Sequence, residues 1–107
     1  MEELDFEITA PMWIYQGKGA WHFITIDGEE AAKVRFFTDP ANTGRKRRGW
    51  GSVKVTATIG NTTWETSMFP SKDLEGYVLP IKKDVRKAEG IFAENDVTVR
   101  LKVKTGL

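Results

Sequence analysis

The chain has 107 residues and a mass of 12.1 kDa, the size of one domain. It has no cysteine, which excludes disulfides, thiolate metal sites and cysteine nucleophiles, and its one histidine, His22, rules out metal sites needing two imidazoles. Net charge is +1, no apolar stretch nears the roughly 20 residues that cross a bilayer, and the acidic start Met1-Glu2-Glu3-Leu4-Asp5 is unlike a signal peptide, so a cytoplasmic chain without membrane contact is expected.

Strand alternation dominates the pattern. Leu4, Phe6 and Ile8 alternate with Asp5, Glu7 and Thr9, which predicts a first strand with one wet face, ended by Pro11. Met12 to Gly19 reads as a connection. Ala20 to Asp27 predicts a second strand, apolar on both faces and therefore central or covered. Glu29 to Phe37 predicts about two helical turns, with Ala32, Val34 and Phe36 turned inward. Asp39-Pro40 closes that helix, because the residue before proline leaves the α region. Residues 41–49 are almost wholly polar and read as the longest loop.

A hairpin follows. Val53, Val55, Ala57 and Ile59 face one way, Gly60-Asn61 supplies the turn, and Trp64, Thr66 and Met68 return until Pro70. Tyr77-Val78-Leu79 is a short strand stopped by Pro80. Ile81, Val85 and Ala88 then recur at helical spacing, and Gly90 suits the left-handed residue after a helix. Asn95-Asp96 turns the chain into a last strand, in which Val97, Val99, Leu101 and Val103 alternate with polar residues. Six strands leave many edges, and closure removes them. The expected fold is mainly β: a small closed six-stranded antiparallel β-barrel, with one or two short helices, in one domain over residues 1–107.

Charge divides the chain. Residues 1–40 carry three bases and eight acids, a net of −5, and residues 41–107 carry thirteen bases and seven acids, a net of +6. One small domain brings these halves together, so their fields are expected to cancel largely. Four bases are consecutive, Arg45-Lys46-Arg47-Arg48, and such a run either attracts phosphate or keeps a loop solvated.

Catalytic signatures are missing. His22 has neither an orienting partner nor a nucleophile in its neighbourhood of sequence, and reads as a half-exposed strand residue. No elbow motif surrounds Ser67, a barrel-wall residue by its alternation. The adjacent pairs Glu2-Glu3 and Glu29-Glu30 diverge, and Gly49-Trp50-Gly51 is too short to cradle phosphate. A non-enzymatic chain without cofactor or metal is expected.

The four tryptophans are the richest feature. Trp21 and Trp64 fall in alternating strands and are expected to fill the barrel, whereas Trp13 and Trp50 sit by loops. Trp50 directly follows the basic run, and an aromatic ring beside guanidinium groups can hold single-stranded nucleic acid or any flat anion. The candidate ligand-binding surface is therefore Arg47, Arg48, Trp50, Tyr77 and Arg86, taking an anionic small molecule or nucleic acid, on a monomer or weak dimer.

Several motifs look familiar together. They are Trp21-His-Phe-Ile, Arg48-Gly-Trp-Gly-Ser-Val-Lys-Val-Thr-Ala-Thr-Ile, Thr66-Ser-Met-Phe-Pro, Gly76-Tyr-Val-Leu-Pro-Ile, Val85-Arg-Lys-Ala-Glu-Gly-Ile and Asn95-Asp-Val-Thr-Val. In this order, over roughly residues 4–104, the chain resembles the bacterial family of domains of unknown function numbered nineteen-oh-five (DUF1905). The resemblance implies a small closed β-barrel and no assigned reaction. Where that pattern has a glycine before the aspartate, this chain has Asn95, a residue that tolerates positive φ. Residues 77–104 also resemble the strand–helix–strand unit of AbrB-type regulators and antitoxins, which implies, as the alternative, a dimeric DNA-binding regulator. The same unit serves equally as a barrel corner, the reading favoured here because the other resemblance spans the domain.

Overall fold

The structure, a computed structural model, describes residues 3–17, 19–39, 51–71 and 76–104. The basic run and the polar segment 41–49 lie outside the described residues. In chain order the elements are β1 (Glu3–Pro11), β2 (Trp13–Ile14), β3 (His22–Ile26), α1 (Gly28–Thr38), β4 (Val53–Ile59), β5 (Thr62–Ser71), β6 (Gly76–Pro80), α2 (Lys83–Glu89) and β7 (Asp96–Lys104). All strand pairs are antiparallel, in one seven-stranded sheet of order β1-β7-β4-β5-β6-β3-β2.

Alternation places the core as expected. Val97, Val99, Leu101 and Val103 of β7 and Val53, Val55, Ala57 and Ile59 of β4 are all buried on the concave side. β4 and β5 join through the two-residue turn Gly60–Asn61. The long β5 then serves both halves of the sheet. Its residues through Met68 pair with β4, and Phe69 to Ser71 pair with β6, so the sheet bends where the partner changes. Strand β5 therefore runs through Pro70, one residue beyond the expected stop.

The expected closed six-stranded barrel is not what forms. The sheet has seven strands and curls into an open half-barrel, and the reason lies at Met12. This fully buried residue donates its N–H to the Asn95 carbonyl (2.9 Å) and accepts from the Glu94 N–H (2.7 Å). Those bonds tie the end of β1 to the turn before β7. One residue later, Trp13 and Ile14 pair with Phe23 and His22 instead. β1 thus leaves with β7 and β2 with β3, so the two margins of the sheet diverge from Met12 without a ladder between β1 and β3. The connection expected over Met12 to Gly19 accordingly contains a short strand.

Local details follow the same physics. Gly76 faces the backbone of Ile26 so closely that a Cβ there would collide with the Ile26 carbonyl oxygen. α1 buries Ala31 and Val34, whereas Ala32 and Phe36, expected inside, are exposed. Its end at Asp39 is extended, as the following proline demands. α2 buries Val85 but leaves Ala88 exposed, and Gly90 ends it in the left-handed conformation (φ 62°, ψ 37°). Before β7 the positive φ belongs to Glu94 (73°), not to Asn95. Asn95 closes the turn with its side chain, its Oδ1 accepting from the Phe92 N–H at 2.9 Å.

The charge division resolves into a ladder. Glu3, Asp5 and Glu7 of β1 stand opposite Lys104, Lys102 and Arg100 of β7. Arg100 also reaches diagonally to Asp5, Nε to Oδ1 at 3.1 Å. The strand–helix–strand stretch 77–104 works as a corner within one chain: β6 pairs with β5 and β3, and β7 with β4 and β1.

Candidate functional site

A groove of about 330 Å³ opens where the start of β3, the middle of β5 and the entry to α2 converge. Its aromatic wall is Trp21, with Trp64 deeper in. Its cationic side is Arg86, Lys82 and Lys83, and Glu65 stands on the rim. The groove exists because Pro80 ends β6 and turns the chain into α2, while the Ile81 N–H still bonds the His22 carbonyl at 2.9 Å. That bond brings α2 beside β3 and sets Arg86 over His22.

His22 is held at both ring nitrogens. Nδ1 lies 2.8 Å from the Ala20 carbonyl oxygen, which only accepts, so Nδ1 carries the hydrogen. Nε2 is then an acceptor and takes a hydrogen bond from the Arg86 guanidinium at 3.2 Å. Arg86 also donates through Nε to the Ile81 carbonyl at 3.2 Å. Two of its five N–H groups are thereby committed, which braces the planar fork beside His22. The sequence shows no partner for His22 because Ala20 and Arg86 reach it only through the turn and the corner.

Trp21 stands at the mouth, 54% exposed, against the expectation that it fills the core. Its indole stacks on Phe23 (centroids 6.1 Å apart, planes at 9°), two residues along the same face of the chain. Phe23 is flanked in turn by Trp13 at 5.1 Å and by Tyr15 edge-on at 6.4 Å, both carried by or beside β2. Trp13 anchors this row through Nε1, which donates to Thr25 Oγ1 at 2.9 Å. The outer face of β3 is apolar because these rings cover it. Ala20 sits at φ 46°, a strained setting for a residue with a Cβ, and follows Gly19 at φ 89°. This bend sets Trp21 at the mouth of the groove.

The predicted surface is only partly assembled. Arg86 lines the groove, but Tyr77 is 3% exposed and belongs to the core, paired in the sheet with Ile26 and Pro70. Its alternation in β6 sets it on the same face as the fully buried Leu79, which turns the ring away from solvent. Arg47, Arg48 and Trp50 lie outside the described residues. Trp64, expected inside, is 7% exposed. Sequence reasoning missed Trp21, Lys82 and Lys83. One signal for Trp21 was present, namely the glycines Gly17 and Gly19 immediately before it, which place it at a turn rather than inside a ladder.

Chemically the groove offers a flat ring face, a braced guanidinium and two lysines. Among the described residues no nucleophilic side chain hydrogen-bonds His22, and no cluster of three or more histidine or acidic side chains is placed to hold a metal ion. No helix among them is long and apolar enough to cross a membrane. No curated protein matches the chain. The sequence profile of a family described as "Domain of unknown function (DUF1905)" matches residues 9–101, which takes in every element from the end of β1 to the middle of β7 and all of the groove. The chain belongs to the DUF1905 family.

Proposed function

We propose that this chain is a non-enzymatic binding domain that takes a small anion bearing a flat ring in the Trp21–His22–Arg86 groove. One observation carries the reading: an indole ring, half in solvent, lines the same groove as a guanidinium already oriented by two hydrogen bonds. Stacking on the ring supplies sequence-tolerant affinity, and Arg86 with Lys82 and Lys83 supplies the charge. Glu65 on the rim opposes long anionic polymers laid along β5, which favours a compact ligand.

The test is a titration followed by tryptophan fluorescence and anisotropy, at low salt, with nucleotides, phosphorylated metabolites and short single-stranded oligonucleotides. Nucleotide-sized ligands are expected to bind, and W21A and R86Q each to weaken binding by about tenfold or more, given roughly 1–3 kcal/mol for a lost stacking partner. Absence of binding by every probe at low salt overturns the reading.

A further inference from the structure

We propose that the open edge of β1 is a strand-addition site for an extended segment of a partner protein in which lysine or arginine alternates with apolar residues. Along one edge, β1 pairs through all nine residues with β7. Along the other, no backbone hydrogen bond is made among the described residues. A strand directs its N–H and C=O groups alternately to its two edges, so this margin presents a row of unmet donors and acceptors. Main-chain addition satisfies such a row directly.

The side chains specify the occupant. Leu4, Phe6, Ile8 and Ala10 are packed against the core yet only partly buried, so an added strand has apolar surface left to cover. Glu3, Asp5 and Glu7 point to the other face and are exposed. The acidic character continues past the strand. Glu7 shares with Asp27 and Glu30 a cleft of about 280 Å³ between β1 and the β3–α1 junction. β7 already shows what satisfies this pattern, setting Lys104, Lys102 and Arg100 opposite the acids and Val103, Leu101 and Val99 opposite the apolar row. A second strand with the same alternation meets the same demands.

Two other occupants are disfavoured by charge. In a second copy pairing antiparallel through β1, the fullest registers that keep both apolar rows on one face set acid against acid, and the one centred on Ile8 leaves Asp5 and Glu7 opposite Pro11 and Thr9, with no base for either. Nucleic acid meets the same carboxylates.

The experiment adds a synthetic peptide of the β7 sequence, Asp96 to Lys104, to the full chain and follows backbone amide exchange residue by residue. A control peptide carries R100E, K102E and K104E. The expected result is exchange slowed tenfold or more at amides within Leu4–Ile8, with the β7-sequence peptide alone, and binding that weakens with added salt. E7Q in the full chain is expected to lower that peptide's affinity severalfold while its circular dichroism is unchanged. Four results overturn the proposal: no slowing in β1, equal slowing by the charge-reversed peptide, faster exchange at the chain's own β7 amides because the peptide has replaced β7, or a peptide-free dimer in sedimentation whose β1 amides are protected.

Discussion

The two edges of β1 offer a comparison within one strand. Toward β7, nine residues keep an unbroken register, acids meet bases, and the facing side chains Val97, Val99, Leu101 and Val103 are nearly or fully buried. Toward β3, the same residues meet no ladder, and Leu4, Phe6 and Ile8 keep part of their surface. Both edges belong to the same alternating sequence, so alternation is not what separates them. The difference comes from where the chain is tied at Met12. Two backbone hydrogen bonds commit β1 to the β7 side before β2 can carry the pairing on toward β3. Side-chain periodicity selects the buried face of a strand, and backbone hydrogen bonds select which of its edges is closed.

Breaking the closed side gives the largest effect. Leu101→Ala removes a fully buried side chain from the centre of the core and is expected to lower unfolding free energy by about 2–5 kcal/mol in a urea titration. Phe6, its cross-strand partner, is only partly buried, so Phe6→Ala in the same titration should lose about half as much or less. Equal losses would mean that the open edge is covered in solution. Next in size is Gly76→Ala, whose new Cβ collides with the Ile26 carbonyl oxygen and must push β6 from β3. We expect about 1–3 kcal/mol of destabilisation, read as a lowered melting temperature, and a wild-type melting temperature would refute the close approach. The smallest effect is expected at the charge ladder. A double-mutant cycle on Asp5 and Arg100, both substantially exposed, should give a coupling of only about 0.2–1 kcal/mol, shrinking with salt. A larger coupling would show that the ladder itself, rather than the apolar face beneath it, holds β1 in place.

Much of the molecule is legible before folding. The hairpin of β4 and β5 with its Gly60–Asn61 turn, the alternating faces of β1 and β7, and Gly90 as the end of α2 all follow from local chemistry. Each depends on neighbours a few residues away. The helix faces were less legible. In α1 the expected inward set Ala32, Val34 and Phe36 mixes faces, and only Val34 agrees with the buried pair Ala31 and Val34, because a helix this short is oriented by the β6 strand it lies against. The candidate site was the least legible part. Of the five residues proposed from sequence, Arg86 reaches the groove, Tyr77 is inside the core, and three lie outside the described residues. An aromatic residue near a base in sequence carries no information about which side of the sheet either occupies.

The amino-acid order by itself determined that this chain builds antiparallel sheet, which residues of each long strand are apolar inside and charged outside, and where its turns fall. Those are short-range consequences of period-two alternation and of glycine, proline and asparagine chemistry. Tertiary structure alone decided that the sheet stays open beside β1, that Tyr77 lies in the core, and that His22 and Arg86, 64 residues apart, share a hydrogen bond. Each of these depends on which distant backbone groups pair around Met12 and Pro80, and that choice is made in three dimensions.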